Sequence, residues 1–410
     1  MAAVHQVLAT LSYGDAIGHE VLGIQRVLRA NGFASDIFVE NGHPLLEPLT
    51  RDYRDMPQAV TPDDLLIHHF SIGSKASRIS YALPARMMLV YHNITPPQYF
   101  VGVNTELVES CYLGRRELTA YAARCELAVG DSEYNRQELE ALGFAPTAVL
   151  PVVPDFSHLE GVPQAFAARQ FDDDWTNILF VGRVIPNKRF DDLIRIFHAY
   201  RHTYNPRSRL LLVGSSQGFE NYRTQLHHLI ARLGTPDVYF TGHITNEELA
   251  AFYGVADLFL SASEHEGFCV PLIESFSMGV PVVAFAAAAV PGTMHGGGVL
   301  YHDKDPQAVA ALIDGILADG AAREAVLRSQ DDALDRLLAE DFAGTLLRHV
   351  TTALAAPRRP QEVAFDFWEQ VETYERLKAL KKRRPALYEA LPTAETRREP
   401  RREDAAEAPR

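Results

Sequence analysis

The chain is poor in cysteine, with three residues among 410, Cys111, Cys125 and Cys269, and no CxxC pair. That argues for reduced thiols in a cytosolic compartment and against a structural zinc. Its 16 histidines form no HExxH set, and the one HxxxH pair, His198 and His202, has no Glu beside the first His, so a metal centre has little support in the spacing. Apolar runs long enough to span a bilayer are missing. No succession of basic, apolar and small residues opens the sequence, so secretion is not expected. Positive charge is also in deficit: 39 Lys and Arg against 53 Asp and Glu leave a formal charge of −14. This excludes a general affinity for nucleic acid or anionic lipid, and any phosphate must be met by local cations.

What the chain has is hydrophobic residues, 47% of the total, enough for two domains with separate cores. Short apolar runs at 4–11, 35–40, 65–70, 87–92 and 126–130 alternate with helix-like stretches. A second series starts afresh at 177–182 and continues at 209–214, 237–242, 257–262 and 280–285. Such alternation predicts an α/β fold of two Rossmann-like parallel sheets facing across a cleft. The first domain is expected over 1–170 and the second over 171–357, joined by a proline-bearing hinge at 151–174. The stretch 361–385 has helical spacing of Phe365, Trp368, Val371 and Leu377 and reads as an amphipathic helix. Residues 393–410 are almost all Arg, Glu, Ala, Thr and Pro, which predicts disorder.

The most informative segment is EGFCVPLIE, where Glu266 and Glu274 are separated by seven residues as a strand gives way to a helix. The Gly267 bend and Pro271 place residues 267–272 at a helix N-terminus, whose outward backbone N–H groups suit an anion. Carboxylates beside such a site repel phosphate but accept hydrogen bonds from hydroxyls. A diphosphate flanked by two polyols, the layout of a nucleotide sugar, satisfies both demands. The plainer reading, two acids on a solvated surface, stands beside it.

The stretch SEHEGFCVPLIESFSMGVPVVAF resembles the pattern of glycosyltransferase family four, a Glu, seven residues and a Glu, then a small-residue helix and a Gly-x-Pro-Val-Val strand. The resemblance covers about a tenth of the chain. It implies a GT-B fold, retention of anomeric configuration and no bound metal. By the same resemblance Glu266 faces the donor sugar and Glu274 holds the ribose, while Gly267, Phe268 and Cys269, with Val270 and Leu272 beyond them, line the sugar and diphosphate. The 361–385 helix would cross back onto the first domain.

Arg183 and Lys188 follow the strand NILFVG and project from its carboxyl edge, where fixed cations can stabilise a departing diphosphate. Solvated surface charge is the alternative. Their spacing also resembles the family's phosphate-binding Arg and Lys, although Arg189 stands where the family often has Gly. In the first domain MMLVYHNITPP delivers His92 at a strand end before Pro96 and Pro97. A neutral imidazole there can bind a sugar hydroxyl, and the position resembles the family's active-site His. His68 and His69 read as structural or surface residues. Gly14 and Gly18 flank a strand-to-helix turn that lets backbone approach a diphosphate. Asp15 replaces the family's second glycine and would face the acceptor hydroxyl. The FDDDW turn at 171–175 has Asp-x-Asp spacing but reads as a solvated acidic turn. Gly292 stands where relatives frequently carry a Glu, and Gly296, Gly297 and Gly298 could form a tight loop near the ribose or phosphate.

The expected activity is transfer of a hexose from a nucleoside-diphosphate sugar to a saccharide or lipid-linked saccharide hydroxyl. Catalytic roles fall to Glu266, His92, Arg183 and Lys188, and no cofactor is expected. GDP-mannose is the first choice of donor and a UDP-hexose the second, because the SEHEGFCVP and YHNITPP stretches look like bacterial polysaccharide mannosyl-type transferases. The location expected is cytoplasmic, with transient contact at the inner membrane face for a lipid-linked acceptor and no nucleic-acid partner. A nucleotide-sugar epimerase of the same fold and a non-catalytic nucleotide-sugar-binding protein are the rival readings.

Overall fold

The computed structural model describes residues 2–12, 16–152, 156–159, 169–359 and 378–389. The chain divides into two compact units, 1–361 and 362–410. Everything that follows concerns the first, except that the described part of the second includes a short helix, Pro385–Glu389. The disorder expected for 393–410, most of the 361–385 helix and half of the 151–174 hinge lie outside the described residues.

The first unit carries two wholly parallel sheets. Strands β1 (Val4–Leu11), β2 (Ile37–Gly42), β3 (Thr50–Asp52), β4 (Leu65–Phe70), β5 (Arg86–Tyr91), β6 (Leu127–Gly130) and β7 (Thr147–Val149) form one, in the order 3-2-1-4-5-6-7. The other contains β8 (Thr176–Val181), β9 (Ser208–Val213), β10 (Val238–Gly242), β11 (Leu258–Ser261), β12 (Val282–Phe285) and β13 (Val299–Tyr301), in the order 10-9-8-11-12-13. The first sheet and its helices are called here the first lobe, the second sheet and its helices the second lobe. This is the expected pair of Rossmann-like sheets, with β3, β7 and β13 added to the predicted strands.

Both faces of each sheet are covered, which is why the central strands read as unbroken apolar runs. LLIHHF of β4 is buried at all six positions. Its two histidines are therefore interior, not surface, residues.

Strand order reverses direction between β1 and β4 in the first lobe and between β8 and β11 in the second. The carboxyl ends of those pairs leave a crevice into which no crossover helix packs, the usual ligand position in such sheets. The loop after β1 includes Gly14 and Asp15, which lie outside the described residues.

The return of the chain to the first lobe occurs earlier than expected. Leu346, Val350 and Ala353 of the helix Phe342–Ala355 are fully buried among Val4, Ile24, Leu65, Met88 and Val129. That helix had been placed with the second domain; its apolar face instead completes the first lobe's core. Among the described residues no helix is long and apolar enough to cross a membrane.

Candidate functional site

In the second lobe two loops are laced together at the β8/β11 crevice. After β8 the chain passes Gly182 and Arg183, makes a 3-10 turn at Pro186–Lys188 and enters the helix Phe190–Thr203. Asn187 in that turn is buried; it donates to the His265 carbonyl at 3.0 Å, and its own carbonyl accepts from Glu264 N–H at 2.9 Å. This stitching brings Lys188 Nζ onto both carboxylate oxygens of Glu266. Glu266 is only 7% exposed. Burial works against the Lys188 ammonium, yet the Glu266 carboxylate outweighs it and holds the amine's pKa above its ordinary value. Arg183 is close enough to oppose that effect electrostatically, and its exposed guanidinium lies 5.9 Å from the centre of the Phe219 ring.

Arg189 occupies a left-handed conformation, φ 53°, ψ 50°, which glycine would accept freely. Its guanidinium is consumed by Glu264, Asp191 and Asp192. The third cation of the motif is thus spent within the loop, and Lys188 and Arg183 are the ones directed to the crevice.

Glu266 leads through Gly267 into the helix Val270–Ser277, capped by Cys269 at φ 77° with no side chain bonded to the helix end. Glu274, one face further along, is 6% exposed, and both its oxygens are occupied. His158 Nε2 lies 3.1 Å from Oε1, and the Tyr253 hydroxyl donates to Oε2 at 2.8 Å. Leu272 is a correction. It is fully buried and its N–H donates to the Cys269 carbonyl, because helical spacing turns it to the lobe's core and not to the cleft. The Phe268 side chain is likewise buried, and its carbonyl accepts from Thr293. Asp173 of FDDDW, expected in a solvated acidic turn, pairs with Arg209 at 2.6 Å, and Gly298 N–H donates to Ser329 of the helix Gly320–Leu338.

In the first lobe His92 stands at the end of β5, but its ring does not face the cleft. The side chain is 2% exposed, with Nε2 2.9 Å from His69 Nδ1 and Nδ1 3.8 Å from both Glu20 and Asp131. The expected ring donor to a sugar hydroxyl is therefore turned inward, by a set of polar groups that a core strand and helix place behind it. The backbone following it is what reaches the other lobe. Asn93, left-handed at φ 70°, donates to Asn135 at 2.7 Å. A Cβ on Gly267 would come within 2.9 Å of Asn93 Cβ and 3.2 Å of the His92 carbonyl, so only glycine fits this approach of the two lobes. Beside it, the buried His265 ring lies between Tyr99 and Tyr134, with centroids 6.2 and 6.0 Å away. Burial pushes its pKa down to about 4. A cavity of about 650 Å³ opens at this seam, bounded by Asp131, Tyr134, Phe268, Thr293, His295 and Arg348.

The structure thus unites Lys188, Glu266 and Arg183, places Glu274 on the adjoining helix, and brings the His92–Asn93 backbone against Gly267. Glu20, Asp131, His69, Gln6, His158 and Tyr253 were not anticipated. Gln6 in the otherwise apolar VHQVL and the paired histidines of LLIHHF were the available signals, polar residues inside buried strands.

Residues 162–329 match the family described as glycosyl transferases group 1. The chain is 32% identical to the D-inositol 3-phosphate glycosyltransferase of Thermomonospora curvata, over 55% of this chain and 58% of that one. It is 30% identical to the O-antigen chain mannosyltransferase B of Escherichia coli, over 36% of this chain and 38% of that one. The chain spans about half or less of the length of these curated relatives. Among solved structures, the UDP-glucose complex of Anabaena HepE superposes with a TM-score of 0.66 at 18% identity, over 87% of this chain and all of that one. The two facing Rossmann-like sheets are accordingly a GT-B fold.

Proposed function

From the match of residues 162–329 to the group 1 glycosyl transferases, we propose that the protein is a retaining hexosyltransferase. It takes a hexose from a nucleoside-diphosphate sugar and places it on the hydroxyl of a saccharide or lipid-linked saccharide. The observation that carries this reading is the Lys188–Glu266 pair at the β8/β11 crevice, with Arg183 beside it.

In the free protein the cation and the acid satisfy each other. A diphosphate entering the crevice competes for Lys188, and Glu266 is released to accept hydrogen bonds from the sugar. As the sugar–oxygen bond breaks, the leaving diphosphate gains charge, and Lys188 and Arg183 stabilise that gain more than the ground state. The acceptor attacks from the same face, its proton passing to the departing phosphate oxygen. Glu274 offers its carboxylate to the ribose in exchange for His158. Because the His92 ring nitrogens are engaged within the first lobe, its contribution comes through the backbone that meets Gly267. Lys188 and Arg183 supply the charge that a divalent cation would otherwise bring, so turnover should survive EDTA.

GDP-mannose is the first donor, supported by likeness to a mannosyltransferase, and a UDP-hexose the second, supported by the UDP-glucose complex of a structural neighbour. The reaction would take place in the cytoplasm, with peripheral contact at the inner membrane face when the acceptor is lipid-linked.

The test combines thermal protection by GDP-mannose, UDP-glucose and the free diphosphates with product analysis. A donor that binds only the folded state at 100 times its Kd adds about 2.7 kcal/mol to stability. Expected are protection by one donor class, transfer to a sugar hydroxyl, and an anomeric configuration unchanged by NMR. Inversion of configuration would overturn the mechanism, conversion of donor alone to an isomeric sugar would favour the epimerase, and absence of protection by every nucleotide sugar would overturn the function.

A further inference from the structure

A chain of buried polar groups runs beneath the first-lobe side of the cleft, and its proton count can be read from its geometry. Gln6 sets the direction. Its amide nitrogen donates to the Val21 carbonyl at 3.1 Å, so the oxygen is the end turned to His69 Nε2, 2.9 Å away. That nitrogen must carry the hydrogen. Burial, reinforced by the neighbouring histidines, holds the His69 pKa well below its ordinary value, so the ring is neutral and its Nδ1 is a lone pair. His92 Nε2–H therefore donates to it, at 2.9 Å.

The other nitrogen of His92, Nδ1, faces Glu20 Oε2 and Asp131 Oδ2, each 3.8 Å away, and the three side chains are 2%, 3% and 7% exposed. A neutral ring beside two carboxylates would aim a lone pair at two negative charges in a site closed to water. At least one proton must reside among the three. Asp131 accepts from the Asn135 amide. Glu20 Oε1 has no hydrogen-bond partner among the described residues, a costly setting for a carboxylate and a tolerable one for an acid. Other titratable neighbours among the described residues are His69 and His68 of β4. Gln6 and Asn135 are neutral.

We propose that Glu20 and His92 hold a proton between them beside Asp131, and that Glu20 is a positioning residue whose uncharged form, packed against the His92 ring, fixes the His92–Asn93 backbone against Gly267. Burial, opposed by His92 and aided by Asp131, raises the Glu20 carboxyl to about 7, in the range where such a proton is held or lost near neutrality. Once it leaves, a buried charge faces the ring and the segment beneath the cleft loosens. The consequence for turnover rests on the transferase reading; the shared proton does not.

The test uses Glu20→Gln, whose amide imitates the uncharged acid, beside Glu20→Ala, which removes the carboxyl from behind the ring. In 15N NMR of the substrate-free protein, His92 Nδ1 should change state between pH 5 and 9 in the wild type and stay constant in Glu20→Gln. In turnover, wild-type kcat should fall on the alkaline side, and Glu20→Gln should flatten that fall. Glu20→Ala should lose roughly 10–100-fold at every pH, the scale of a misplaced catalytic element. KM for the nucleotide sugar should change less than about threefold in both variants, because the donor cations belong to the other lobe. Identical His92 titration in wild type and Glu20→Gln would overturn the shared proton. A Glu20→Gln enzyme as impaired as Glu20→Ala, or a loss confined to KM, would overturn the positioning role. Should the NMR result hold while no donor is turned over, the proton is real and the transferase assignment is what falls.

Discussion

The two lobes contribute to the cleft with opposite electrostatics. The second presents formal ion pairs at its sheet edge: Lys188 with Glu266, and Arg189 and Lys304 shared among Glu264, Asp191 and Asp192. The first presents backbone, supported from beneath by a hydrogen-bonded relay of Gln6, His69 and His92, with Glu20 3.8 Å beyond it. One lobe stores charge that a ligand can compete for; the other stores a geometry that depends on a proton. A ligand with a diphosphate should therefore rearrange the second lobe's pairs and leave the first lobe's relay in place.

The sharpest way to break this contrast is to remove one member of the second lobe's pair. Lys188→Met strands the nearly buried Glu266 carboxylate, and leaving one half of such a pair typically costs about 3–5 kcal/mol. Transfer should fall roughly 10²–10³-fold in addition. The double variant Lys188→Met, Glu266→Gln should regain most of the stability in urea melts and none of the activity. Recovery of activity by the double variant would show that the pair serves only the fold.

Next in size is the first lobe's pH response. Because the Glu20 carboxyl is raised from about 4.5 to about 7, the native state binds its proton more tightly than the unfolded state between those values. Stability contributed by that proton is fully present below about 4.5 and is lost as pH rises through 7. A shift of this size corresponds to on the order of 3 kcal/mol. Glu20→Gln should remove this component from chemical denaturation measured at pH 5 and pH 8. A Glu20→Gln protein that retains the full pH slope would place the response elsewhere.

The same contrast explains how far each lobe was legible in the sequence. Ten of the thirteen strands among the described residues were marked by apolar runs, and the two missed in the first lobe, β3 and β7, are only three residues long. Glu266, Lys188 and Arg183 were readable as neighbours because each stands just after a strand, at the same edge of one sheet. The relay draws Gln6, Glu20, His69, His92 and Asp131 from five separate places in the chain, and no local period records that they meet. His92 was found for its place at a strand end, yet its ring direction depends on those distant partners. Leu272 failed for the converse reason: proximity along the motif was taken for exposure, while the helical period turned it inward.

Where the lobes touch, a methyl group can serve as a wedge. Gly267→Ala puts a Cβ within 2.9 Å of Asn93 Cβ and 3.2 Å of the His92 carbonyl, contacts that only backbone movement relieves. Overpacking of this kind costs about 1–3 kcal/mol, and the strain should appear as a lower kcat with donor affinity nearly unchanged. Asn93→Gly in the same chain removes the clashing atom and should restore part of the rate. If the single variant instead weakens donor binding alone, Gly267 matters to the donor loop and not to the approach of the lobes.

The smallest expected effect compares two left-handed residues, one on each side of that contact. Asn93 at φ 70° is of a type that tolerates the conformation, and Cys269 at φ 77° is not. Relief of a left-handed non-glycine residue is worth roughly 1–2 kcal/mol, less the 0.4–1 kcal/mol that glycine's greater freedom in the unfolded chain takes back. Cys269→Gly should thus stabilise the protein by about 0.5–1 kcal/mol, whereas Asn93→Gly should gain nothing, since it forfeits the bond to Asn135. Burial, with Glu266 adding to it, holds the Cys269 thiol well above its ordinary pKa, so it is neutral and a poor nucleophile at pH 7. Loss of turnover on Cys269→Gly would therefore point to packing of the sulfur against the Lys188–Glu266 pair and not to thiolate chemistry, and it would make the strain at the head of this helix a working part of the second lobe.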